Sequence, residues 1–248
     1  MMNQNEMSVY DHIGELRKRL VTVVVFFIIA VIASFFLVEP LIVYLQGADE
    51  AKELTMNAFR LTDPIKVYME FAFILAFILT FPITLYQLWA FISPGLYVKE
   101  RKVTLSYIPI SLFLFLSGIS FSYFVLFPFV VEFMTGLSER LAIEQVIGIN
   151  EYFDFQLTLP FGILFQLPVV IMFLTRLGIV TPGFLSKVRK YAYFVLLVIA
   201  AFITPPELIS HLMVSIPLFL LYEVSILISR WSYKKRLKAE AEANQIQE

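Results

Sequence analysis

The chain has 248 residues, 59% of them hydrophobic and 16% charged, with a mean hydropathy of +0.81 and a net charge of −1. Soluble domains carry about a quarter charged residues, so this is an integral membrane protein, and a near-neutral chain without a global field is not expected to bind nucleic acid. Cysteine is absent and histidine occurs only as His12 and His211, which excludes disulfides, thiolate metal sites and cysteine nucleophiles; no metal or cofactor is expected.

The first element precedes the first apolar run. Ser8 and Asp11 make a capping-box-like start, and Val9, Ile13, Leu16 and Leu20 follow at helical spacing. This predicts an amphipathic helix at the cytoplasmic surface, with Asp11 and Glu15 on its other face. Arg17, Lys18 and Arg19 then lead into the uncharged run Leu20 to Val38. That order imitates a signal peptide, but the run is too long and no small-x-small cleavage site follows, so it reads as a retained span.

Further uncharged runs extend over Phe71 to Ile92, Val103 to Val131 and Phe155 to Thr175, each long enough for the roughly 20 residues a spanning helix needs. The last apolar region, Tyr191 to Tyr222, is broken by "TPPE" at Pro205 and Pro206, and predicts a hairpin of two short helices. Tyr191 to Ile203 supplies about 20 Å of helix against a hydrocarbon core of about 30 Å, so the hairpin is little tilted or sits in thinned bilayer. The fold class is therefore all-α, with six transmembrane helices, the last two short, in one membrane domain over residues 1–232 and a polar tail over 233–248.

Six spans place fifteen of the nineteen basic residues on one side and only Lys52, Arg60, Lys66 and Arg140 on the other. By the positive-inside rule both termini are cytoplasmic. The outer segments Glu39 to Lys66 and Glu132 to Asp154 look partly structured, and no internal repeat of the kind that marks inverted-repeat transporters is evident.

Positive-inside placement accounts for the cations around Glu15, in "HIGELRKRL", and around Glu100, in "SPGLYVKERK", but not for the two acids. One reading pairs Glu15 with Arg19 at i+4, for about 0.2–0.5 kcal/mol, and Glu100 with its neighbours. The other holds the two carboxylates at one membrane edge as bidentate acceptors for two guanidinium groups of an incoming chain.

"HIGELRKRL", "YQLWAFISPGLYVKER", "ITPPELIS" and "IPLFLLYEVSILISR", in this order from about Val9 to Trp231, resemble the TatC family, the multispanning receptor subunit of the twin-arginine protein translocase. The resemblance implies a receptor and assembly platform in the bacterial plasma membrane, part of an oligomeric complex, that binds twin-arginine signal peptides of folded cargo and docks single-span subunits of the TatA/TatB type. It assigns Glu15 and Glu100 to the signal, with Arg17, Phe91, Pro94, Leu96, Tyr97 and Arg101 shaping that site, and Thr204, Glu207 and His211 to partner docking. Gln166 stands mid-span where familiar members carry Glu. An amide there hydrogen-bonds but cannot titrate, and the plain alternative is a polar contact between helices worth about 0.6 kcal/mol.

Glu223, the one acid in the apolar stretch Leu208 to Ser229, is either functional or snorkels toward the cytoplasmic face near Arg230. Prolines 82, 109, 128, 160, 168 and 217 are expected to kink spans. Two rival functions are weaker. Glu207, Ser210 and His211 lie close in sequence, but Ser210 and His211 diverge on a helix, which disfavours an intramembrane hydrolase, and the protein is expected not to be an enzyme. A proton-coupled small-solute transporter usually shows repeats and several mid-span charges.

Overall fold

The computed structural model describes residues 9–46, 56–95, 101, 104–143, 146–150, 159–203 and 208–245. Along the chain these form α1 (Val9–Gln46), β1 (Met56–Asn57), α2 (Asp63–Ile92), α3 (Tyr107–Phe121), α4 (Phe127–Arg140), β2 (Ile147–Gly148), α5 (Leu159–Leu164), α6 (Leu167–Arg176), α7 (Pro182–Ile203) and α8 (Leu208–Gln245). The chain divides into two compact units, Met1–Leu112 with Val146–Phe153, and Phe113–Gln145 with Asp154–Glu248.

Five stretches among the described residues are long and apolar enough to cross a membrane: Ile13–Gln46, Asp63–Ile92, Tyr107–Arg140, Leu159–Arg176 and His211–Leu237. The predicted fifth span lies in α7, whose early turns carry Lys187, Arg189 and Lys190, so its uncharged part starts only at Tyr191. As helices, α7 and α8 have 22 and 38 residues. The expectation of two short helices is corrected accordingly: only the uncharged stretches are short, because charged turns extend each helix.

A second correction concerns the N-terminus. No break separates the predicted surface helix from the first span; Val9 to Gln46 is one helix of 38 residues, about 57 Å long against a core of about 30 Å. Nothing between Val9 and Leu20 is Gly-Pro punctuation strong enough to stop it, and Gly14 alone is tolerated within a helix.

In the first unit α2 packs along α1. Phe35 and Tyr68 meet with ring centroids 5.7 Å apart, Phe27 stacks on Phe73 at 6.3 Å, and the Tyr68 hydroxyl donates to the Phe35 carbonyl. As the α1 number falls the α2 number rises, so the two helices are antiparallel. On α2, Val67, Phe71, Ala76 and Thr80 form a buried stripe at four- and five-residue intervals; lipid gives apolar helices no hydrophobic reason to associate, so small residues that permit close packing matter more there. Beyond the far end of the hairpin, β1 and β2 pair in parallel, Met56 with Ile147 and Asn57 with Gly148, so these connecting segments are partly structured. The Arg60 N–H donates to Asp63 Oδ2 at 2.8 Å at the start of α2, where a carboxylate also suits the helix dipole.

The second unit is built on small residues and buried hydroxyls. A Cβ on Gly118 would lie 2.5 Å from the Phe161 carbonyl oxygen, and one on Gly162 would lie 2.6 Å from the Phe115 ring, so backbones approach where only glycine fits. Thr175 and Ser229 hydrogen-bond at 2.8 Å, Ser232 donates to the Met172 carbonyl at 3.3 Å, and the Tyr222 hydroxyl donates to the Leu185 carbonyl at 2.9 Å. Around them Phe161, Ile171, Leu196, Val214, Leu218 and Ile226 form the core.

Prolines accompany a break in one span and a π-helical turn in another, and leave others regular. Pro168 has no N–H and crowds the carbonyl four residues back, and the fourth span accordingly divides into α5 and α6. In the third span a π-helical turn, Ser122–Leu126, precedes Pro128, with the Phe127 N–H donating to the Ser122 carbonyl. Pro82 and Pro217 lie inside α2 and α8 without interrupting either.

Candidate functional site

The antiparallel packing of α1 and α2 brings the start of α1 to the end of α2, where "SPGLYVKERK" begins. There Arg19 donates to Glu15 Oε1 from Nε at 3.1 Å and from Nη2 at 2.5 Å, and to Gln87 Oε1 from Nη1 at 3.1 Å. The pair is mostly buried, with side-chain exposures of 25% for Arg19 and 22% for Glu15. Glu15 Oε2 is buried too and has no hydrogen-bond partner among the described residues. The i+4 pairing expected on helical spacing is thus present, and α2 adds Gln87, which sequence spacing gives no means of finding.

Gln87 lies one turn before Phe91, which is half-buried; α2 ends at Ile92 and a 3-10 turn, Ser93–Gly95, follows. Described residues on either side of the loop beyond bond to one another. Trp89 Nε1 donates to Thr104 Oγ1 at 3.1 Å, Thr104 Oγ1 donates to the Arg101 carbonyl at 3.1 Å, and Arg101 Nη2 donates to the Pro94 carbonyl at 3.3 Å. Of the predicted signal-site residues, Glu15, Phe91, Pro94 and Arg101 are therefore on or near one helix-hairpin end. Arg17 is exposed on α1. Glu100, Leu96 and Tyr97 lie outside the described residues, as do Thr204 and Glu207 of the predicted docking site. His211 starts the described side chains of α8, and its carbonyl accepts from the Ser215 hydroxyl at 2.7 Å.

Gln166 is nearly buried, at 9% exposure, and caps α6. Its carbonyl accepts from Val169 N and Val170 N, both at 3.0 Å, so its backbone is the pivot of the break that Pro168 imposes. A reading of Gln166 from its amide side chain alone does not find this backbone role, although the "QLP" triplet carries the signal.

Glu223 does not stand alone. Arg189 from α7 forms an ion pair with it, Nε lying 2.8 Å from Oε1 and Nη2 donating to Oε2 at 3.0 Å, and the Tyr193 hydroxyl donates to Oε1. Tyr193 also packs on Phe219, with ring centroids 4.7 Å apart. The cluster ties the last two helices together.

These helices and this charged, partly buried hairpin end define a polytopic α-helical membrane protein. The family model for the Sec-independent protein translocase protein TatC matches residues 11–217, and the chain belongs to that family. It is 66% identical to the Sec-independent protein translocase protein TatCy of Bacillus subtilis (strain 168) over 242 residues, 97% of this chain and 95% of that one. It is 66% identical to TatC of Halalkalibacterium halodurans over 241 residues, 96% of this chain and 95% of its relative. A crystal structure of the twin-arginine translocase receptor TatC superposes with a TM-score of 0.77 at 30% identity, covering 89% of this chain and 99% of that structure.

Proposed function

We propose that this translocase subunit is the receptor and assembly platform of twin-arginine export, without catalysis of its own. Glu15 and Glu100 accept the paired arginines of a signal peptide at the cytoplasmic membrane edge, and single-span subunits dock near Thr204, Glu207 and His211 at the outer end of the last hairpin. The chain then lies in the bacterial plasma membrane as one six-span domain with both termini inside, the orientation favoured by fifteen basic residues against four.

The observation that carries this reading is a carboxylate at the end of the first hairpin, mostly withdrawn from water and already bound to a guanidinium. A fully exposed ion pair is worth only about 0–1 kcal/mol, too little for capture in salt. A partly desolvated, charge-assisted pair reaches about 1.5–3 kcal/mol. Lysine lacks the guanidinium fork, so the site favours arginine beyond charge alone. The test is capture of a labelled signal peptide by the detergent-solubilised protein: the Arg-Arg peptide binds and its Lys-Lys counterpart binds at least about tenfold more weakly. Equal binding of the two peptides rejects the reading. For docking, cysteines introduced at Thr204 and His211 crosslink to a single-span protein; crosslinks to lipid alone while export proceeds put the docking site elsewhere.

A further inference from the structure

We propose that Arg19 is an internal stand-in for a signal arginine: in the unloaded receptor it occupies Glu15, and an incoming guanidinium displaces it. This rests on the reading of Glu15 as an acceptor and adds the step by which the acceptor is vacated.

Three observations carry it. First, Arg19 places two donors on one oxygen, Glu15 Oε1, whereas the strongest guanidinium–carboxylate geometry uses both oxygens in parallel. Second, Oε2 is buried and has no hydrogen-bond partner among the described residues. A buried acceptor left unused is unfavourable, and the resting pair therefore falls short of what a two-oxygen pairing achieves. Third, Arg19 has somewhere to go. Its Nη1 already donates to Gln87 Oε1, so releasing Glu15 leaves it held against α2 rather than stranded. Exchange replaces a one-oxygen pair by a two-oxygen pair and keeps every guanidinium hydrogen-bonded.

A stand-in lowers the affinity of every competitor by the same factor, because each ligand meets only the fraction of receptors whose acceptor is vacant. Removing it tightens all ligands equally and leaves the preference for arginine over lysine unchanged. A residue that merely positions Glu15 does the opposite, since its loss weakens binding.

The experiment titrates labelled Arg-Arg and Lys-Lys signal peptides against the full-length detergent-solubilised parent, Arg19→Gln and Arg19→Lys. Arg19→Gln tightens both peptides by about three- to tenfold with their ratio preserved. Arg19→Lys keeps the charge without the fork, gives an intermediate tightening, and carries the test should the Gln variant fail to insert. Unchanged or weaker binding in the variants overturns the stand-in, and so does tightening of one peptide alone, which would make Arg19 a selectivity residue. A parent that shows no arginine preference rejects the receptor reading itself, whereas a clear preference without tightening rejects only the stand-in.

Discussion

Two carboxylate–guanidinium pairs among the described residues, one in each unit, are built differently. Glu223 is saturated in that both oxygens accept a hydrogen bond, Oε2 from Arg189 Nη2 and Oε1 from the Tyr193 hydroxyl, with Arg189 Nε in ion-pair contact at 2.8 Å. Glu15 is not: Arg19 holds one oxygen while the other is buried and has no partner among the described residues. The saturated pair joins α7 to α8 across 34 positions of sequence, whereas the unsaturated pair lies within one helix at a spacing of four. A carboxylate with both oxygens engaged is a fastener, while one with a whole oxygen to spare can accept something else.

The largest expected effect comes from breaking the unsaturated pair. Glu15→Gln weakens Arg-Arg peptide binding by about tenfold to a hundredfold, and Glu100→Gln does the same, with the protein still inserted and expressed. Peptide titration checks both. If the two Gln variants bind like the parent, these acids only balance neighbouring cations, and the contrast between the two pairs has no functional meaning.

Packing in the unit that holds the saturated pair gives the next largest effect. Gly118→Ala drives a Cβ to 2.5 Å from the Phe161 backbone oxygen and 2.9 Å from the Phe165 ring, so the helices must separate, at a cost of about 1–3 kcal/mol. Gly136→Ala, with nothing within 4 Å of its Cβ, is instead stabilising by about 0.5–1 kcal/mol. Opposite shifts in thermal melts of the detergent-solubilised protein verify this difference.

Glu223→Gln sharpens the comparison directly. Both partners are more than a third exposed, at 42% and 37%, so the loss is about 1 kcal/mol, or roughly 2–4 °C in Tm. Peptide affinity stays within about twofold, a shift of some 0.4 kcal/mol. A tenfold loss of peptide binding without a fall in Tm would make Glu223 a recognition group rather than a fastener.

The smallest effect belongs to the hydroxyl pair. Thr175→Val and Ser229→Ala are coupled by about 0.6 kcal/mol in a double-mutant cycle, the average for polar contacts between membrane helices. Strict additivity would mean that their 2.8 Å contact contributes nothing to holding α6 on α8.

Much of this arrangement is legible in the amino-acid sequence. Four of the spans are uncharged runs, and "TPPE" falls between the end of α7 at Ile203 and the start of α8 at Leu208, where two prolines disfavour helix. The pair of Glu15 with Arg19 follows from helical spacing alone. A separate surface helix does not follow, because amphipathicity reports which face meets an interface, not whether the helix ends; α1 continues because no stop signal follows. For Gln166 the amide side chain suggests a polar contact, whereas the backbone carries the bend imposed by Pro168.

By itself, then, the sequence determined the class of protein, its apolar segments, their charge asymmetry and the two acids set among cations, since hydropathy, helical period and proline act within a few residues. Only the tertiary structure decided that Gln87 shares Arg19 with Glu15 and that Arg189 and Tyr193 saturate Glu223. Partners 68 and 34 positions apart are chosen by how antiparallel helices pack, and that register is set by small residues and ring contacts spread along whole helices rather than by the sequence beside either acid.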